Sequence, residues 1–410
     1  MFCCRSNFYT IHKMKDVIRL LILTHNYPRF VGDYAGVFIS LLARRLVDQS
    51  IQPIVLAPHD QDAPEFEVID GVQIYRFRYA DKPEDENIAY RGNMQQLVLG
   101  SLSGALKFRH FIRSWRLAAF QVIKKEQIQV VAGHWLVPTG LVMKAIAAKQ
   151  PLPMILSSHG TDIRLIKKHG RFVFRYFKKF CRGLKKWTVV SNYLKDEILR
   201  LDANLRSIVE VLPLPHDETL FYQDENTKRE DNLIVAVTRF TVQKRVDYLI
   251  RAFAEVKAKR PEARLEIYGS SPGQNEIENL IEGLGLKQHV TIFSPIPQEK
   301  LRQVYDRAAV VVLNSYQEGF GLALSEAMMC GAAVIGTASG GILDIVKDGE
   351  TGLLVPVDDS TSLAGAMLRL LNNSSLRHQL ADNGYRFARA NYASGLLAER
   401  YAQMVREAFL

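Results

Sequence analysis

Cysteine is scarce: Cys3, Cys4, Cys181 and Cys330 are the only four in 410 residues. Their spacing supports neither a disulfide framework nor a four-ligand metal site, which predicts free thiols in a reducing compartment. Long apolar runs are also missing. No stretch reaches the about 18 consecutive apolar residues of a membrane span, and no apolar signal core with a small-residue cleavage site opens the chain, so a cytoplasmic protein is expected. The first strand pattern is not followed by Gly-x-Gly-x-x-Gly, which argues against a dinucleotide oxidoreductase. The lack of a Gly-x-x-x-x-Gly-Lys-Ser/Thr loop argues against a kinase or ATPase. No helix-turn-helix, zinc or RNA-binding signature appears, nor any repeat of fixed period or low-complexity tract. Residues 1–13 are irregular and precede a second methionine, Met14. They are read as an extension from an upstream start and given no role.

What is present is an ordinary globular composition, 48% apolar and 23% charged. A chain of 410 residues exceeds one ordinary core and predicts two domains of about 200 residues each. Short apolar runs alternate with helical patterns, the signature of parallel sheets flanked by helices. Strands are predicted at Val17–Thr24, Ile51–Ala57, Val72–Arg76, Val130–Gly133, Met154–Ser158 and Trp187–Val190 in the first half. In the second half they fall at Leu233–Val237, Arg264–Tyr268, Val290–Phe293, Val310–Asn314 and Ala333–Gly336. Between the halves, Leu212-Pro-Leu-Pro-His216 cannot continue a helix and marks the boundary. The expected organisation is a first domain over 1–213, a second over 214–393 and a last helix, 394–410, crossing back toward the first. The fold class is α/β, two Rossmann-like, doubly wound parallel-sheet domains facing a central cleft, with ligands outside the carboxyl ends of the strands. The net charge of +10 is unevenly shared: residues 1–215 hold 32 Lys or Arg against 18 Asp or Glu, net +14, and the remainder holds 21 against 25, net −4. A basic first domain predicts an anionic partner, either membrane lipid or nucleic acid.

The most specific segment is Glu318-Gly-Phe-Gly-Leu-Ala-Leu-Ser-Glu326, directly after a predicted strand. Gly319 and Gly321 let the backbone approach a ligand, and the helix start that follows, about one turn before Glu326, offers unpaired amides to phosphate. A carboxylate before the helix can accept hydrogen bonds from sugar hydroxyls, and one inside it can hold a ribose. Arg239 and Lys244, in the loop after Leu233–Val237, can neutralise a diphosphate leaving group, a role a divalent ion fills in other sugar transferases. No metal and no cofactor is therefore expected. Ser339-Gly-Gly341 reads as a glycine turn suited to phosphate or sugar. Singly, each of these is an ordinary surface charge or turn; their order at successive strand ends carries the reading.

Together they resemble the family-4 retaining glycosyltransferases of GT-B fold, over nearly the whole chain and most strongly from Leu233 to Val355. The resemblance implies that Glu318, with the Gly319-Phe320-Gly321-Leu322 backbone, binds the donor sugar, that Glu326 binds the nucleotide ribose, and that Arg239 and Lys244 bind the diphosphate. Asp217 to Phe221 matches the family's Asp-x-x-x-Phe. Also implied is retention at the anomeric carbon by front-face attack, with the donor phosphate helping to take the proton. The departures, Gly269-Ser-Ser271, Pro295 and Asp344, all fall near the nucleotide or phosphate pocket and leave the base open between a UDP-sugar and a GDP-sugar.

In the first half, His134-Trp-Leu-Val-Pro-Thr-Gly140 and His159-Gly-Thr-Asp162 each follow an apolar strand. An imidazole at a strand end can orient an acceptor hydroxyl or the reacting sugar. The resemblance places His134 at the reaction centre, with Glu318, Arg239 and Lys244, and His159 and Asp162 on the acceptor side. Gly32, in the loop Tyr27–Gly36, lies where the family has a glycine-rich loop near the donor phosphates. Phe172–Trp187 reads as a helix with Val173, Tyr176, Phe177, Phe180, Leu184 and Trp187 on one side. Seven cations from Arg171 to Lys186 occupy the other, with no acid among them. That face suits the anionic inner surface of a cell membrane, and Leu97–Lys125 extends it. The expected function is hexose transfer to a glycan or lipid-linked acceptor in cell-envelope polysaccharide or glycolipid synthesis, with no nucleic acid involved. A sugar-nucleotide epimerase, a phosphorylase of the same fold, or a basic binder of nucleic acid or another anionic polymer are the alternatives.

Overall fold

Runs of Ile, Val and Leu bounded by turn residues become strands buried on both faces, as parallel sheets require. The computed structural model describes residues 17–61, 63–90, 94–169, 171–224, 226–269 and 273–410. Residues 1–13 with Cys3 and Cys4, and Ser270 and Ser271, lie outside them. The first sheet holds β1 Ile18–Leu23, β2 Ile51–Pro58, β3 Phe66–Ile69, β4 Val72–Phe77, β5 Val130–His134, β6 Met154–Ser158, β7 Lys186–Val189 and β8 Val209–Val211, in the order β3-β4-β2-β1-β5-β6-β7-β8. Every neighbour pair is parallel except β3 with β4. The second sheet is wholly parallel: β9 Glu230–Val237, β10 Arg264–Tyr268, β11 Val290–Phe293, β12 Ala308–Leu313, β13 Ala333–Thr337 and β14 Leu353–Val355, ordered β11-β10-β9-β12-β13-β14. Both sheets are doubly wound, so the chain is an α/β protein of GT-B architecture. No helix among the described residues is long and apolar enough to cross a membrane.

The strands β3, β8 and β14, of three or four residues each, were not anticipated. Segments that short carry no readable alternation, and pairing to a longer neighbour decides them.

The chain crosses between the sheets twice, side by side. His216 pairs with Ala393, its N–H donating to the Tyr392 carbonyl at 2.9 Å while the Ser394 N–H donates to its own carbonyl at 3.0 Å. The final helix, Ser394–Phe409, then lies on the first sheet, where Leu397, Tyr401 and Val405 are buried among Ile18, Leu20, Ile39 and Leu46. Apolar burial of this kind, about 25 cal/mol per Å², fastens the end of the chain to the first domain.

The cationic helix differs from its sequence reading. It runs from Arg171 to Arg182 and stops at Gly183, and Trp187, read as part of its apolar face, belongs to β7. There it is fully buried opposite Leu156, and its indole N–H donates to Ser158 Oγ at 3.0 Å. Strand pairing and that hydrogen bond override the helical period. The buried side of the helix is Phe174, Phe177, Phe180 and Cys181, whereas Phe172 and Tyr176 are exposed. Lys178 and Arg182 are not bare cations either, for both pair with Asp202.

Candidate active site

The two sheets bring their strand-end loops into contact, and glycines make the approach possible. A Cβ on Gly319 would sit 2.7 Å from the His159 carbonyl oxygen, and one on Gly160 would sit 3.1 Å from the Gly319 Cα. Ser191 Oγ donates to the Gly319 carbonyl at 2.8 Å. The Asn192 backbone and side-chain N–H groups donate to Asp344 at 2.6 and 3.0 Å. The loop after β6 of the first domain therefore rests on the loop after β12 of the second, in a closed arrangement.

On the second-domain side, Glu318 occupies the loop between β12 and the helix Leu322–Met329, and Glu326 lies in the second turn of that helix. Lys244 Nζ meets Glu318 Oε2 at 2.5 Å, joining the loops after β9 and β12. Burial raises the Glu318 carboxyl pKa, but the Lys244 ammonium, with Arg164 further off, outweighs it and leaves the group below its ordinary value. Glu326 has no such partner. It is buried, accepting from Tyr305 Oη at 3.0 Å and Gln298 Nε2 at 3.2 Å, and burial pushes its pKa up to about 7. Arg239 is exposed, with no side-chain hydrogen bond or ion pair among the described residues, so its guanidinium is available to a ligand.

Two of the predicted donor contacts have other work. The Phe320 ring is buried against Tyr392 at 5.4 Å and His216 at 6.4 Å, anchoring the loop to the paired crossing strands. The Gly340-Gly341 turn packs on protein: the Gly341 N–H donates to the Glu318 carbonyl at 2.8 Å, and a Cβ on either glycine would lie within 2.4 Å of the Glu318–Gly319 backbone. It shapes the donor loop from behind. Gly321, at φ +119, makes the turn into the helix, and Leu322 is half-buried at its start.

On the first-domain side, His134 ends β5 and His159 follows β6. Their rings stack at 5.2 Å, with His134 Nδ1 and His159 Nε2 3.0 Å apart, so one N–H passes between them. His134 is buried, and His159 and His25, the latter beside Trp135, are half-buried. Burial, assisted by mutual repulsion, lowers His134 to about 3, His159 well below its usual value, and burial alone lowers His25 to about 4. The cluster is neutral imidazole, which can accept a hydrogen bond from a hydroxyl. Asp162, read as an acceptor-side residue, is instead an internal brace. Its carboxylate accepts from Leu136 N–H at 2.8 Å, Ser158 Oγ at 2.6 Å and Gly160 N–H at 3.3 Å, tying the two histidine loops together. Gly32 sits at φ +85 in a loop tip with no atom near where a Cβ would point. The loop is held by Arg29, which pairs with Asp33 at 2.7 Å and with Asp60. Asp60 belongs to the chain's one Asp-x-Asp run, Asp60-Gln61-Asp62; it is buried on that arginine, and Asp62 lies outside the described residues.

Sequence reasoning missed His25, although it follows β1 just as His134 and His159 follow their strands. It also missed Arg164, Gln243, Gln298 and Tyr305, which reach the site from other elements and carry no local signal.

Two facing, doubly wound sheets with such a seam define the GT-B architecture. Residues 35–219 match the family model Glycosyltransferase Family 4, and residues 217–387 match Glycosyl transferases group 1. The chain belongs to the family-4 glycosyltransferases. It is 27% identical over 300 residues to an uncharacterised glycosyltransferase of Methanocaldococcus jannaschii, covering 72% of this chain and 81% of that one. It is 24% identical over 301 residues to the N-acetyl-alpha-D-glucosaminyl L-malate synthase of Bacillus anthracis, covering 68% of this chain and 75% of that protein. In fold it is similar to sucrose-phosphate synthase from Thermosynechococcus elongatus, with a TM-score of 0.79, 21% identity, and coverage of 96% of this chain and 99% of that one. Anabaena HepE, solved with UDP-glucose, superposes with a TM-score of 0.71 at 16% identity, covering 95% and 99%.

Proposed function

We propose that this enzyme transfers a hexose, with retention, from a UDP- or GDP-hexose to a glycan or lipid-linked acceptor in cell-envelope polysaccharide or glycolipid synthesis. The observation that carries the reading is the Lys244–Glu318 pair, which sets a cation and a carboxylate side by side at adjoining strand ends, against the loop of His159. Lys244 and the exposed Arg239 neutralise the diphosphate as it leaves, with no metal ion or cofactor required. Glu318, once Lys244 turns to phosphate, accepts from the sugar hydroxyls, and Glu326 accepts from the ribose. The neutral His134 orients the acceptor hydroxyl or the reacting sugar. HepE, a neighbour in fold, was solved with UDP-glucose, which favours a nucleotide-sugar donor here. Arg175, Lys179 and Lys185 are exposed on or just after the helix that also exposes Phe172 and Tyr176, which favours docking of the first domain on an anionic membrane at the cytoplasmic face.

Calorimetric binding of UDP, GDP and their hexose conjugates, with EDTA present, tests the donor site. Saturable binding weakened by both Glu326→Ala and Lys244→Ala supports it and names the nucleotide; no binding to any conjugate refutes it. The anomeric configuration of the product, read by NMR, decides retention.

A further inference from the structure

The seam between the domains holds a cation that the reaction scheme above does not use. Arg164 lies on the helix Thr161–His169, just after the His159 loop, and its Nη1 donates to Gln243 Oε1 in the other domain. Gln243 is in turn bound on both sides. Its Nε2 donates to the Gln317 carbonyl at 3.2 Å, and its own carbonyl accepts the Tyr316 N–H at 2.8 Å. One side chain thus joins the loop that carries Lys244 to the loop that carries Glu318.

Gln317 stands at φ +50, a conformation that a residue with a side chain holds only where its surroundings impose it. Other ties between the domains reach Gly319 and Asp344 at the seam, and Arg45 pairs with Glu218 beside the crossing strands. Among the described residues, Arg164 is the one first-domain side chain that hydrogen-bonds to residues 238–245. Arg164 also lines the interdomain crevice with Gly160, Gln317 and Gly319, so its contact exists only when the domains are closed. Its charge reaches Glu318 as well, acting in the same direction as Lys244.

We propose that Arg164 is a positioning residue of the donor site supplied by the opposite domain: through Gln243 it holds the Lys244 and Glu318 loops in register, so that closure completes the site for the sugar diphosphate. The inference rests on the donor reading above for its ligand, but not for its geometry.

Hydrogen exchange on the ligand-free protein reads that geometry directly, in the wild type, Arg164→Ala, Gln243→Ala, the double variant and Arg164→Lys. A hydrogen bond to a charged group supports a change of about tenfold. Arg164→Ala should therefore speed exchange about tenfold in peptides covering 241–245 and 315–319, in the domain that was not altered. Gln243→Ala should match it from the other side, the double variant should be no worse than either, and lysine should restore part of the protection. UDP-hexose binding should weaken about tenfold in the same variants at an unchanged melting temperature. Wild-type exchange in both loops, or additive effects in the double variant, overturns the proposal. If the wild type binds no nucleotide sugar, the donor reading fails and Arg164 is no donor-site residue; if it binds and the variants bind equally well, only the positioning role fails.

Discussion

Glu326→Gln should make the protein more stable at neutral pH while weakening nucleotide binding. The fold buries this carboxylate with only neutral partners, Tyr305 and Gln298, and its pKa rises from 4.5 to about 7. In the unfolded chain the same group ionises near its ordinary value. Between the two values the folded state keeps a proton that the unfolded state has released, so stability falls as pH rises through that window and is level on either side. A shift of this size at 1.36 kcal/mol per unit amounts to about 3 kcal/mol at full ionisation. Glutamine keeps the shape and one acceptor but cannot ionise. Urea unfolding of wild type and variant across pH should give similar stabilities near pH 4.5 and a gap in favour of the variant approaching about 3 kcal/mol by about pH 8. Glu318, shifted the other way, is present in both proteins and cancels in the difference. A gap that does not grow with pH would refute the claim that Glu326 is held uncharged by burial. In the same variant, loss of an ionised acceptor for the ribose should weaken nucleotide binding by about ten- to a hundredfold, measured by calorimetry above pH 7.

Gly319→Ala should block closure, because the new Cβ would fall 2.7 Å from the His159 carbonyl oxygen. A displacement of that kind is expected to cost at least about a hundredfold in turnover, with a larger radius of gyration by small-angle scattering and each domain still folded. His134 and His25, lowered to about 3 and about 4, should show neutral imidazole shifts by NMR from about pH 5 to 8, and the pH profile of turnover should have no limb from either. Reversing Arg175, Lys179 and Lys185 to glutamate should cut partition onto anionic vesicles by about a hundredfold and leave neutral vesicles unaffected. Lys178 and Arg182 are left intact there because they hold Asp202; equal binding to both vesicle types would refute the membrane surface.

Much of this architecture was legible in local pattern. Parallel strands buried on both faces appear as unbroken runs such as Val310-Val311-Val312-Leu313, and Arg264–Tyr268, Met154–Ser158 and Val290–Phe293 were read to the residue. The order of Arg239, Lys244, Glu318 and Glu326 was legible as well, because the first two follow one strand, Glu318 follows another, and Glu326 lies in the helix that comes next, so the chain visits them in sequence. That information is local, and burial, period and turn chemistry are local causes.

Contacts between distant residues were not legible. The sequence determined by itself that there are two wound sheets, and which loops carry the charges. Only the tertiary structure decided that Trp187 leaves the cationic helix for β7, that Asp162 braces two loops from inside, that Phe320 turns toward Tyr392, and that Arg164 reaches Gln243 across the seam. Each of these is settled by a partner 26 to 79 residues away, through a strand pairing, a buried hydrogen bond, a ring contact or a closing of two domains. A residue's own neighbours in sequence contain no record of such a partner, so the roles of these side chains emerge only when the chain is folded.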